Sequence, residues 1–156
     1  TARGDGQILD KQVNLSKLQF QKEISSKFGD FTIIGDANSI VSEESGDVFV
    51  YGRHSSGSLI EFRFSAGNNA WASTDALIAS ENWQARITAV KFEQNGAEIV
   101  GALITDSSGH LHFVSSTGAV VDLTAELTNP QMHVIYSQPA AAQFGDELLA
   151  YGTNQV

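Results

Sequence analysis

The sequence predicts an all-β protein built from a sheet-forming unit of roughly fifty residues that recurs along the chain. Three observations predict it. Gly46-Asp47-Val48-Phe49-Val50-Tyr51-Gly52 returns as Gly145-Asp146-Glu147-Leu148-Leu149-Ala150-Tyr151-Gly152, and between them Asn95-Gly96 opens another turn and the apolar run from Ala97 to Ile104. Ser55-Ser56-Gly57-Ser58-Leu59 returns as Ser107-Ser108-Gly109-His110-Leu111, each with a glycine able to take the positive φ of a tight hairpin. The segments that precede these hairpins, Phe31 to Ile34, Arg86 to Phe92 and Met132 to Tyr136, are rich in β-branched and aromatic residues.

Taken in order, residues 1–30 form an amino-terminal segment with two readings. Leu15, Leu18, Phe20, Ile24 and Phe28 have partly helical spacing, with Asn14 to cap and Gly29 to stop a helix. Alternatively, Gln7 to Ser25 supplies closing strands for the unit left incomplete at the other end. Residues 31–80 are the first unit. Its outgoing strand, Leu59-Ile60-Glu61-Phe62-Arg63-Phe64, alternates apolar with charged residues, and Gly67-Asn68-Asn69 leads into a fourth strand from Trp71 to Leu77. Residues 81–130 are the second unit, with His110-Leu111-His112-Phe113-Val114 outgoing and Ala119 to Thr124 as the fourth strand after Thr117-Gly118. Residues 131–156 are a partial third unit with a single strand pair.

Four strands in roughly fifty residues is the arithmetic of a β-propeller blade. The alternative is a β-sandwich assembled from unrelated hairpins. About three blades cannot close a ring that takes roughly four to eight. The propeller-like reading therefore calls for the remainder of a longer chain or for a homo-oligomer, either of which would cover the exposed sheet edges.

With 42% apolar residues in a chain of 156, there is enough material for a packed core. The formal net charge of -9 repels nucleic-acid phosphates and anionic lipid headgroups, which argues against both as partners. No apolar stretch approaches the roughly 20 residues of a membrane-spanning helix, so no membrane insertion is expected. The absence of cysteine rules out a thiol nucleophile and leaves the compartment open. No nucleophile elbow, phosphate loop or calcium loop is present, no cofactor is implied, and an enzyme is the minority reading.

The candidate ligand residues are Trp71 and Trp83, whose indole faces suit the C–H side of a sugar ring, with Glu61 and Asp75 as acceptors for hydroxyls. The competing role for both tryptophans is packing between sheets. His110 and His112 lie two apart, as two metal ligands on one strand face would, with Asp106 across the turn, although a third ligand is missing from the local sequence and surface histidines on a sheet edge fit the pattern better. Arg3-Gly4-Asp5 spells a cell-adhesion tripeptide, a short motif of low specificity.

Val48 to Tyr51, the turn Ser55 to Leu59, Glu61 and Trp71 together resemble the blade pattern of propeller lectins, the fucose-binding lectins in particular and the tachylectins more loosely. The similarity is best over residues 46–77 and extends to the later units through turns and strand pattern. It implies a sugar site in which Glu61 holds hydroxyls and Trp71 packs on the apolar face of the sugar. Phe49 stands where the fucose-binding family carries an arginine. The expected function is a non-enzymatic, lectin-like recognition module that binds carbohydrate. The alternatives are a structural or assembly fragment that contacts other protein surfaces and, more weakly, a hydrolase with its site at a blade junction.

Overall fold

The computed structural model describes residues 33–71, 77–79, 83–125, 127, 128, 135 and 137–153, all within one compact unit. The amino-terminal segment with its two readings, the Arg3-Gly4-Asp5 motif and Asp75 lie outside the described residues. All-β structure is what the sequence led one to expect, and the described residues form strands and turns with no helix.

The first sheet runs in chain order through β1 (Ile33–Val41), β2 (Val48–His54), β3 (Leu59–Ser65) and β4 (Ala70–Trp71), with β5 (Leu77–Ala79) also pairing to β3. The second runs through β6 (Trp83–Gln94), β7 (Ala97–Asp106), β8 (Leu111–Ser115) and β9 (Val120–Asp122). A third pairs β10 (Ala140–Phe144) with β11 (Glu147–Tyr151). Every pairing is antiparallel, and the long strands β1 and β6 each carry a register shift near their start, between Ile34 and Asn38 and between Trp83 and Ile87.

The hairpins follow from turn chemistry. Gly57 and Gly109 sit at φ 94° and 86°, a region that costs a side-chain-bearing residue energy. Their turns are closed alike, by His54 N–H to Ser58 O (2.8 Å) and Asp106 N–H to His110 O (3.0 Å). In both turns the glycine carbonyl then accepts a backbone bond from the chain that begins the next part of the molecule: Trp83 N–H to Gly57 O at 3.0 Å, and Ile135 N–H to Gly109 O at 2.8 Å.

Strand alternation gives the second sheet two apolar faces. Ile87, Val100, Ala102, Ile104 and Val114 pack with Phe49, Tyr51, Leu59 and Trp83 in one core cluster. Val90, Phe92, Leu103, Leu111 and Phe113 form another, against which Ala141, Leu148 and Ala150 of the third sheet rest. β6 is the common element, touching β1 and β2 on one side and β10 and β11 on the other. The second sheet is tight where β7 meets β8: a Cβ on Gly101 would lie 2.4 Å from Val114 O and 2.6 Å from the Phe113 ring.

In the third sheet the partner of β11 is β10, from Ala140 onward, and of the run Met132 to Tyr136 only Ile135 is among the described residues. Pro139 lacks an N–H and stands immediately before that pairing.

Candidate functional site

The residues singled out in the sequence occupy three different environments. Glu61 faces Tyr51 directly across the β2–β3 ladder, and both are buried. Among the described residues no hydrogen bond of normal length reaches Tyr51 Oη or Glu61 Oε2. Burial pushes the Glu61 carboxyl up to about 7, which the adjacent Tyr51 hydroxyl and the Arg63 charge offset only in part. Burial and the Glu61 charge push the Tyr51 hydroxyl up as well.

Trp71 is half-buried and packs edge-to-face on Phe64, ring centroids 5.4 Å apart. Phe64 is directly opposite Trp71 in the ladder and three residues from Glu61, so alternation sends Glu61 and Trp71 to opposite faces of the first sheet. Trp83 is 1% exposed, inside the core cluster between the first two sheets, with its ring against His112 at 5.1 Å. The structure thus separates Glu61 from Trp71 and places Trp83 in packing.

His112 and His110 converge on carboxylates. His112 Nε2 lies 3.2 Å from Asp106 Oδ2, and His110 Nδ1 lies 3.9 Å from Asp106 Oδ2 and 3.8 Å from Asp122 Oδ2. Asp106 also accepts the backbone N–H groups of Ser108 (2.8 Å) and His110 (3.0 Å), which makes it the anchor of the β7–β8 turn. Burial acts to raise its carboxyl, but the His110 amide, the His112 ring and the Ser108 amide outweigh that and hold it below the ordinary carboxylate range. Among the described residues no group of three or more histidines and carboxylates is arranged to hold a metal ion.

A concave site lies elsewhere, as an open cleft of about 910 Å³ between the second and third sheets. Its apolar lining includes Phe92 and Phe113, which meet edge-to-face at 5.6 Å, together with Ile99, Val121, Leu123 and Leu148. Its polar lining comprises Gln94, the hydroxyl run Ser115-Ser116-Thr117, and the carboxylates of Glu98, Asp146 and Glu147. The described lining residues include no Lys, Arg or His, so the cleft favours neutral or cationic ligands over anions. The size is within the usual range for small-molecule sites.

Part of that lining is already fixed. Glu98 accepts the Ser42 hydroxyl and the Glu43 amide (2.9 Å) from the β1–β2 turn; these bonds, with Lys91, overcome burial and hold its carboxyl low. Ser115 Oγ is bonded to Thr117 Oγ1 at 2.8 Å and accepts the Ala119 amide at 3.1 Å. Gln94, Thr117, Asp146 and Glu147 are exposed, and among the described residues the Thr117 bond is the one such tie of their side chains. Gln94 and Thr117 did not stand out in the sequence as ligand residues, because they and Asp146 belong to separate strands and turns that only packing brings together.

No protein-family model matches the chain, and neither does any curated protein or solved structure.

Proposed function

We propose that the chain is a non-enzymatic recognition module of propeller-like build that takes a carbohydrate in the cleft between its second and third sheets. The observation that carries this reading is the chemistry of the lining: an aromatic and aliphatic surface beside amide, hydroxyl and carboxylate groups, with no cation among the described lining residues. A sugar ring has the matching character, with a C–H face for the apolar side and hydroxyls that donate to carboxylates and exchange bonds with Gln94 and Thr117.

The propeller-like part of the reading is supported by two chain-ordered antiparallel meanders and by the parallel roles of the Gly57 and Gly109 carbonyls toward Trp83 and Ile135. The sequence resemblance to propeller lectins supports the same ligand class. The site residues differ from those the resemblance implies, since Glu61 is buried in the fold and Trp71 projects from the opposite face of the first sheet.

A glycan array followed by calorimetry tests the proposal. The Gln94→Ala, Thr117→Ala double variant is expected to weaken binding of the selected sugar on the order of tenfold, from the loss of two hydrogen bonds. Unchanged affinity in that variant, or no glycan bound by the folded protein, would contradict it.

A further inference from the structure

The β6–β7 hairpin turns through two residues. Gln94 pairs with Ala97, and between them Asn95 and Gly96 sit at φ 54° and 76°. Positive φ at both central positions marks a type I′ turn, for which Asn-Gly is a preferred dipeptide. Both residues are exposed, and nothing lies within 4 Å of the place a Cβ on Gly96 would take. Gly96 is outside the ladder, and among the described residues no other backbone bond engages its N–H.

The other described asparagines differ. Asn38 Oδ1 accepts the Ala89 N–H at 3.2 Å, inside the packed sheets. Asn69 is exposed at φ 49°, but Ala70 follows it and sets a methyl group beside the backbone nitrogen. Asn95 is the one asparagine of the chain that precedes a glycine.

We propose that Asn95 is a self-modification site, where its side chain and the Gly96 nitrogen close a cyclic imide that water reopens as aspartate or isoaspartate. The Gly96 N–H gives its proton to hydroxide, and the nitrogen attacks Asn95 Cγ. The new N–Cγ bond forms, the Cγ–Nδ2 bond breaks, and the side-chain nitrogen takes a proton from water and leaves as ammonia. Water then adds to one of the two imide carbonyls. Opening at Cγ restores the ordinary backbone with an aspartate. Opening at the main-chain carbonyl leaves isoaspartate, whose backbone runs through Cγ and is one carbon longer. In either case one water is consumed and one ammonia released.

Within the closed turn the Gly96 nitrogen must still be brought to Cγ. The cost is that of opening the last pairing of the ladder, Gln94 with Ala97, both of them exposed. Glycine adds no Cβ to hinder the approach. The place of the turn gives the modification a consequence, because Gln94 and Glu98 both line the cleft and Glu98 lies opposite Glu93. A carboxylate at position 95 adds a third negative charge to this tip. The extra carbon of isoaspartate breaks the two-residue count that sets Gln94 against Ala97. The chemistry needs no ligand and stands independently of the sugar reading.

The test incubates the full-length chain, folded and in urea, at body temperature and mildly alkaline pH. Proteolysis after glutamate then releases Gln94–Glu98 for mass spectrometry, with isoaspartate read by an isoaspartyl methyltransferase. The folded chain is expected to convert at Asn95 about tenfold faster than at Asn69, and to yield a species of one added negative charge that anion exchange separates. Asn95→Gly keeps a turn that Gly-Gly also adopts, and is expected to yield no such species from this hairpin. Amide shifts of the separated isoaspartate form are expected to move at Gln94 and Glu98 beyond those of Asn95→Asp, which carries the charge alone. Three results would overturn the proposal: conversion at Asn95 in urea but not in the folded chain, conversion at Asn69 as fast as at Asn95, or cleft amides that are the same in the isoaspartate form as in Asn95→Asp.

Discussion

Glu61 is 4% exposed beside Tyr51, and a carboxyl pushed up to about 7 by burial is one whose ionisation opposes folding. In the unfolded chain it ionises near the ordinary value of 4.5, so below that pH neither state carries the charge and there is no penalty. As pH rises from about 4.5 through about 7 the unfolded state ionises first, and the folded state loses stability by about 3 kcal/mol. Glu61→Gln is expected to remove this loss, so that urea midpoints of variant and wild type diverge between pH 5 and pH 7 and run parallel elsewhere; equal slopes across that window would count against a buried carboxyl. The alternation of apolar and charged residues in β3 is the pattern that a strand with one solvated face also shows. Leu59, Ile60, Glu61 and Phe62 are nevertheless all buried, and a strand pattern cannot reveal a cover supplied by chain distant in sequence. Gly101 is a second such position. Its neighbours at 2.4 and 2.6 Å leave no room for a methyl group, and Gly101→Ala is expected to cost about 1–3 kcal/mol in denaturant titration.

The hairpins are the elements that the sequence specifies most directly. Each Ser-Ser-Gly turn has a local cause, a glycine at positive φ and a backbone bond that closes the loop, and both were readable from composition alone. Gly109→Ala forces a side chain into φ 86° and is expected to destabilise the chain by about 1 kcal/mol, measurable as a lowered urea midpoint with unchanged slope. The edges of the sheets were harder to read. β4 spans only Ala70–Trp71, and among the described residues the partner of β11 is β10, which follows Pro139. Propensity marks a segment as extended, but ladder bonds decide its partner, and a proline or a register shift moves the pairing without altering the pattern. His110 and His112 show the same limit. Their spacing suggested a common face for a metal, yet Asp106 draws both rings to a carboxylate that already anchors the turn.

At the scale of the whole described unit, the organising fact is that the second sheet is apolar on both faces and is covered on both. That two-sided burial was visible in the apolar runs of β6 and β7, because a strand with solvent on one side alternates and these do not. The cleft was not visible. Phe92, Phe113, Thr117 and Asp146 come from four separate strands and turns, and its existence depends on how the third sheet seats against the second. The most direct test of the recognition reading is therefore a titration of the full-length chain with the sugar selected on a glycan array, followed residue by residue through backbone amide shifts. The expected result is a saturable set of shifts at Gln94, Thr117, Val121 and Asp146, with Trp71 and its neighbours unmoved. Shifts centred on Trp71, or none that saturate, would contradict it.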